Sequence, residues 1–222
     1  MKYNNLDEIA GKLEAIEESI IFKLLARAQY KRNNQAYEKS FFDEMLLSIE
    51  EVFESCNRYE IIEEVPFSDV INLSYEKTVD LTENVKLAYF NLLDDLCETG
   101  EDPENYGSST EHDIYALQAI SERIHFGAYY VAWAKYNQDP EKYYKFIQEA
   151  NYDALYDLLT RKDVEEKILK RVEEKVNLYQ KGANPKYRKI INPKIIVDFY
   201  KESVIPLTKK GEVEHLINSA NE

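Results

Sequence analysis

Apolar positions at Leu6, Ile9, Leu13, Ile16, Ile20 and Leu24 alternate by three and four, the spacing of one face of an α-helix. This pattern predicts a long amphipathic helix from Leu6 to about Arg32. Similar periodicity predicts a second helix from Phe41 to about Ile62 and a third from Glu76 to Cys97. "ETGEDPENYGSS" then reads as a loop, because Gly, Pro, Asn and Ser cluster in it. Ser109 or Thr110 can cap the next helix, which runs to about Tyr136. "QDPEKYYKFI" restarts the chain, with Asp139 as N-cap and Pro140 in the first helical position. "RKDVEEKILKRVEEKVNLY" is long, charged and helical in period. Asn192 and Pro193 repeat the capping logic, and a final helix starts near "PLTKKGEVEHLI". No stretch alternates with period two for long enough to predict a sheet, and no solenoid repeat occurs. The expectation is an all-α, single-domain multi-helix bundle over residues 1–222, built on long core helices.

Composition agrees with that reading. Of 222 residues, 44% are hydrophobic and 32% charged, with six Gly and six Pro, which suits a helical globular chain and argues against disorder. The formal net charge of −14 disfavours nucleic acid and anionic membrane as partners, since both require a basic face. A small anion in a local basic pocket remains compatible. The start "MKYNNLDEIAG" lacks a signal-like apolar core, and no run is long enough to span a bilayer, so a cytoplasmic location is the expectation. Cys56 and Cys97 form neither a metal spacing nor a disulfide framework, and the three histidines are scattered, so no metal is expected.

"SERIHFGAYYVAWAK", Ser121 to Lys135, raises a chemical question. A cation stands near each end of a segment that is otherwise mostly apolar and aromatic. Buried cations are costly unless paired, so Arg123 and Lys135 call for an anion. Taken alone, both would read as helix residues snorkelling to solvent, and Glu165 as part of a solvated, salt-bridged face.

Four strings, in this order, bear on the question: "ESIIFKLLARAQY", "YGSSTEHDIYALQAISERIHFG", "DVEEKILKRV" and "YKESVIPLTKKGEVEHL". Together they closely resemble the fungal and plant type of chorismate mutase, over about Leu6 to Leu216. The resemblance is weak between Ile62 and Asn105 and around Lys181 to Lys189. It implies an all-helical homodimer that rearranges chorismate to prephenate, on the route to Phe and Tyr, without metal or cofactor. The reaction is unimolecular and pericyclic. A protein accelerates it by selecting the compact conformer and by stabilising the negative charge that grows on the ether oxygen.

Carried over position by position, the resemblance implies that Arg123 grips a substrate carboxylate and that Lys135 reaches the ether oxygen and a carboxylate. It implies that Glu165 accepts from the ring hydroxyl. Thr208 and Glu212 match a pair near the C-terminus whose glutamate, when protonated, donates to the ether oxygen. A glutamate desolvated beside carboxylates should have a raised pKa.

Three departures bear on this site. Ala10 stands where relatives carry a substrate-gripping arginine on the first helix. Arg161 stands where they carry an asparagine, four residues before Glu165, so we expect it to share the catalytic face and to grip the carboxylate the first helix has lost. One extra residue separates Gly127 from Lys135, which predicts a π-bulge between Gly127 and Val131 that restores the direction of Lys135. Relatives also bind Tyr and Trp between subunits; Arg58, Gly107 and Ser108 match that allosteric site. Asn57 replaces an arginine there and Glu111 a threonine, which should weaken capture of an amino-acid carboxylate. The alternative to an active mutase is a weakly active or inactive relative acting as a regulatory or binding helical protein, with Ala10 in its favour.

Overall fold

The computed structural model describes residues 5–38, 41–55 and 79–219. Among them the chain forms ten α-helices: α1 Leu6–Arg27, α2 Asn34–Glu38, α3 Phe41–Ser55, α4 Thr82–Leu96, α5 Tyr106–Gln138, α6 Pro140–Gln148, α7 Tyr152–Leu159, α8 Lys162–Gln180, α9 Pro193–Phe199 and α10 Ile205–Ser219. A short 3₁₀ turn, Pro103–Asn105, leads into α5, and a π turn, Tyr200–Val204, joins α9 to α10. There is no sheet among the described residues, and no helix of theirs is long and apolar enough to cross a membrane.

The 33-residue α5 is the spine. On one side α1 packs along it, burying Ile9, Ile16, Ile20 and Leu24, the residues whose spacing predicted the helix. On another side lies α10. A second apolar cluster, including Tyr143, Ile147, Leu155, Leu159 and Val213, fastens α6 and α7 to α10. The Oδ1 atom of Asn5 caps α1 by accepting from the amide of Glu8 at 2.9 Å, and Asn192 caps α9 by accepting from the amide of Lys194.

Several helix ends differ from expectation for identifiable reasons. The first helix ends at Arg27, not Arg32, because the buried Arg27 guanidinium folds back onto the following chain. It donates to the carbonyls of Lys31 at 2.9 Å and Arg32 at 3.1 Å, and pairs with buried Asp113 at 2.5 Å. The hydroxyls of Tyr37 and Tyr89 also donate to Asp113, so this buried charge is fully met. The α5 helix starts at Tyr106, before the expected Ser109 or Thr110 cap, since the 3₁₀ turn already shapes its entry. Ser109 instead donates to the Tyr106 carbonyl and accepts from Asn33. Asp139 occupies the N-cap position of α6 without a side-chain cap bond. The α4 helix begins at Thr82, where Asp80 accepts from the Thr82 amide at 2.8 Å. The expected stretch from Cys56 to Ile62 lies outside the described residues.

The expected π-bulge between Gly127 and Val131 is absent: α5 is α-helical from end to end. The extra residue therefore turns Lys135 about 120° from Arg123 around the helix, and the long lysine side chain makes up the difference.

Candidate active site

A cavity of about 370 Å³ opens between α1, α5, α8 and α10, with Leu159 of α7 also in its lining. Leu6, Ile9, Ala10 and Leu13 form its apolar wall on α1. Arg123 and Lys135 reach it from α5, Glu165 and Arg171 from α8, and Thr208, Lys209 and Glu212 from α10. Five basic side chains line it against three acidic ones, and two of the five, Arg161 and Arg171, are paired with Asp163 and Glu17 from outside the lining.

Arg123 is 4% exposed, and its Nε and Nη1 atoms are buried without a hydrogen-bond acceptor among the described residues. Burial pulls its pKa below the ordinary arginine value, yet the guanidinium stays charged. Such a group, with planar donors already desolvated, has the geometry to receive a carboxylate. Two glycines make room for this. A Cβ on Gly127 would fall 2.7 Å from Thr208 Cγ2 and 3.1 Å from Arg123 Nη1, and one on Gly211 would fall 2.6 Å from Ala128 Cβ.

Lys135 Nζ donates to Glu212 Oε2 and to the Leu159 carbonyl, both at 2.9 Å. Glu212 is itself buried, and burial raises its pKa against the opposing pull of Lys135, Arg123 and Lys209. The raised pKa favours the protonated carboxyl, the form that can donate a hydrogen bond where negative charge develops. The Thr208 hydroxyl donates to the Val204 carbonyl at 2.8 Å, which ties it to the π turn. Glu165 pairs with Lys209 at 3.1 Å. The cavity thus gathers Arg123, Lys135, Glu165, Thr208 and Glu212, all five expected from the sequence.

Arg161 behaves differently from expectation. It stands at the cavity mouth, its side chain 61% exposed and paired with Asp163 at 3.3 Å. The one-turn argument fails because Arg161 is the N-cap of α8, with φ −125 and ψ 84, so its side chain does not follow the helical face of Glu165. The interior cation that sequence reasoning missed is Lys209. Its Nζ contacts Glu165 and Thr160 Oγ1 and lies 4.7 Å from the centre of the Tyr156 ring. Its position beside Thr208 was the available signal. Arg171, also missed, lines the cavity but is held bidentately by buried Glu17, at 2.9 Å for each contact.

Gly107 and Ser108 lie in the first turn of α5, remote in sequence from these groups, and Arg58 lies outside the described residues. 

The described residues thus form an all-helical pocket lined by a buried arginine and a lysine–glutamate pair, groups whose chemistry suits a small anion. No family model matches the chain. A chorismate mutase of Saccharomyces cerevisiae is 33% identical over 249 residues, covering 98% of this chain and 96% of the relative. One from Trichoderma parareesei is 35% identical, covering 96% and 92%. Among solved structures, a Candida albicans chorismate mutase in complex with L-Trp superposes with a TM-score of 0.82 at 29% identity, covering 98% of this chain and 92% of that one. The chain belongs to the family of fungal and plant chorismate mutases.

Proposed function

We propose that the cavity binds chorismate in its compact conformer and carries its rearrangement to prephenate on Arg123, Lys135, Glu165, Thr208 and Glu212. Arg123 grips one carboxylate. Lys135, with Lys209 on the opposite wall, balances the second. Glu165 accepts from the ring hydroxyl. As the ether C–O bond breaks and the new C–C bond forms, Lys135 and protonated Glu212 donate to the ether oxygen, which gains charge only in the transition state. The reaction so described uses no metal and no cofactor. The observation that carries this reading is the convergence, in one cavity, of a buried Arg123 with two unmatched nitrogens and a Lys135–Glu212 pair at 2.9 Å.

The test is direct: chorismate disappearance followed with the purified protein, with prephenate identified as product. Ala10, exposed where the resemblance implies an arginine, favours the second reading, a weakly active relative with a binding role. Turnover within the range of other family members would exclude that reading. A homodimer in the cytoplasm completes the proposal, and sedimentation of the pure protein tests the assembly. Asn57 and Glu111 support weak or absent control by Tyr and Trp at the site matched by Arg58, Gly107 and Ser108. Assays with each amino acid added decide it.

A further inference from the structure

His125 lies two residues beyond Arg123 on α5 and takes no part in the proposed chemistry. Its contacts fix its protonation. Nδ1 sits 2.9 Å from the Ser121 carbonyl, which can only accept, and 3.0 Å from Ser121 Oγ. Nε2 sits 3.2 Å from the Leu81 backbone amide, which can only donate. The ring therefore carries its proton on Nδ1 and presents a bare Nε2 to Leu81.

What Leu81 touches gives this bond its meaning. Leu81 is 1% exposed and, with Val79 and Asp80, belongs to the strap that enters α4. Its Cδ1 lies 3.1 Å, and Val79 Cγ1 3.7 Å, from the point a Cβ on Gly211 would occupy. The same point is 2.6 Å from Ala128 Cβ, so the strap rests where α5 and α10 are in close contact. Gly211 directly precedes Glu212, and Ala128 directly follows Gly127, which borders Arg123 Nη1.

We infer that His125 is a positioning residue for the reaction: its neutral ring ties Val79–Leu81 across the α5–α10 crossing and so fixes Arg123 and Glu212 relative to each other. Protonation of Nε2 would set N–H against N–H and release the strap. Burial disfavours that protonation and lowers the histidine pKa, while the hydrogen bond to the Ser121 carbonyl and, less strongly, Asp80 on the strap oppose the effect. Asp80 is the charged group that acts on the ring among the described residues. The strap is thus held at neutral pH and lost below the ordinary histidine value of 6.5. The inference rests on the proposed function for its kinetic consequence, though not for the bond itself.

The test compares kcat and KM against pH for the wild-type protein, His125→Gln and His125→Phe, and follows the His125 ring nitrogens and the Leu81 amide by ¹⁵N NMR. Gln places a carbonyl oxygen near the site of Nε2 and does not titrate. The wild type should lose kcat toward acid, in step with protonation of Nε2. His125→Gln should keep kcat within about threefold at neutral pH and lose the acid limb. His125→Phe should lower kcat roughly tenfold or more at every pH, with KM within about threefold. An unchanged acid limb in His125→Gln, or wild-type turnover in His125→Phe, would overturn the inference; if the Phe variant does not fold, the Gln profile still decides. A protonated Nε2 at neutral pH overturns it whatever the activity. A protein inert toward chorismate but with a bare, Leu81-bonded Nε2 would sink the proposed function and leave the tie standing.

Discussion

Lys135 Nζ lies 2.9 Å from Glu212 Oε2, joining the last turn of α5 to the middle of α10 across the cavity. Both side chains are largely buried, 17% and 5% exposed. Burial raises the Glu212 pKa, so the carboxyl holds its proton to higher pH than a free glutamate does. If its donor form is the active one, turnover falls as pH rises through that raised value. Gln keeps a donor and removes the titration. We expect Glu212→Gln to flatten the alkaline limb of the kcat profile. The same shift makes Glu212 a stability group present below the ordinary carboxyl pKa and lost as pH rises through the raised one, so Glu212→Gln should also lose less stability in that window. Identical profiles for the two proteins would assign the limb to another group.

Arg123 sets activity against stability. A buried guanidinium with two nitrogens lacking an acceptor among the described residues carries a desolvation cost that Glu17 and Glu212 offset only in part. Methionine has similar length and no charge. Arg123→Met should raise the unfolding free energy by about 1–3 kcal/mol while lowering kcat/KM by roughly 10²–10⁴. Denaturant titration and the chorismate assay measure the two effects separately. A variant that is both less stable and fully active would contradict both halves.

The parts of this arrangement that were legible in the sequence are those governed by local periodicity or by ordered strings. The α1 stripe, the Asn192–Pro193 start and the gathering of Arg123, Glu165, Thr208 and Glu212 belong to that class. What escaped depends on contacts distant in sequence. Nothing local shows that Arg27 will bend back on Asp113, 86 residues away, and end α1 early. The extra residue before Lys135 suggested a bulge, yet a flexible side chain absorbed it more cheaply than a backbone distortion would. The π turn formed instead at Tyr200–Val204, where it links α9 to the helix bearing Glu212. Helical register also failed at Arg161, because a cap residue does not obey it.

The cation replacing the one missing at Ala10 is accordingly predicted to be Lys209. Arg161, at the cavity mouth, is mostly exposed and pairs with Asp163, whereas the Lys209 side chain is 12% exposed and pairs with Glu165. Arg161→Asn should change KM by less than about threefold. Lys209→Met removes a shielded charge from a dianion site and should raise KM or lower kcat/KM by roughly tenfold or more. Steady-state kinetics on the two variants decide between them. A harmless Lys209→Met with a damaging Arg161→Asn would mean that Arg161 leaves Asp163 and turns inward when substrate binds.

Gly127 tests whether the closeness of α5 and α10 is itself part of the site. It lies in regular helix, where alanine would ordinarily stabilise by about 1 kcal/mol through backbone entropy. Here the added methyl would meet Thr208 Cγ2 at 2.7 Å and Arg123 Nη1 at 3.1 Å. Thr208 is buried and tied to the Val204 carbonyl, so it cannot yield as a free surface chain would. Either α10 must move away from α5, or the Arg123 guanidinium must leave its position in the cavity. Gly127→Ala should therefore lose about 1–3 kcal/mol of stability, despite its helix propensity, and lower kcat/KM by roughly tenfold or more. The pairing of effects is the diagnostic: Thr208→Ser in the same background removes the clashing Cγ2 methyl while keeping the hydroxyl. The double variant should recover most of the stability and part of the activity, which a thermal melt and the chorismate assay would report. If Gly127→Ala proved stabilising and fully active, the two helices would have room to spare at this crossing, and their close approach would not be what holds Arg123 in place.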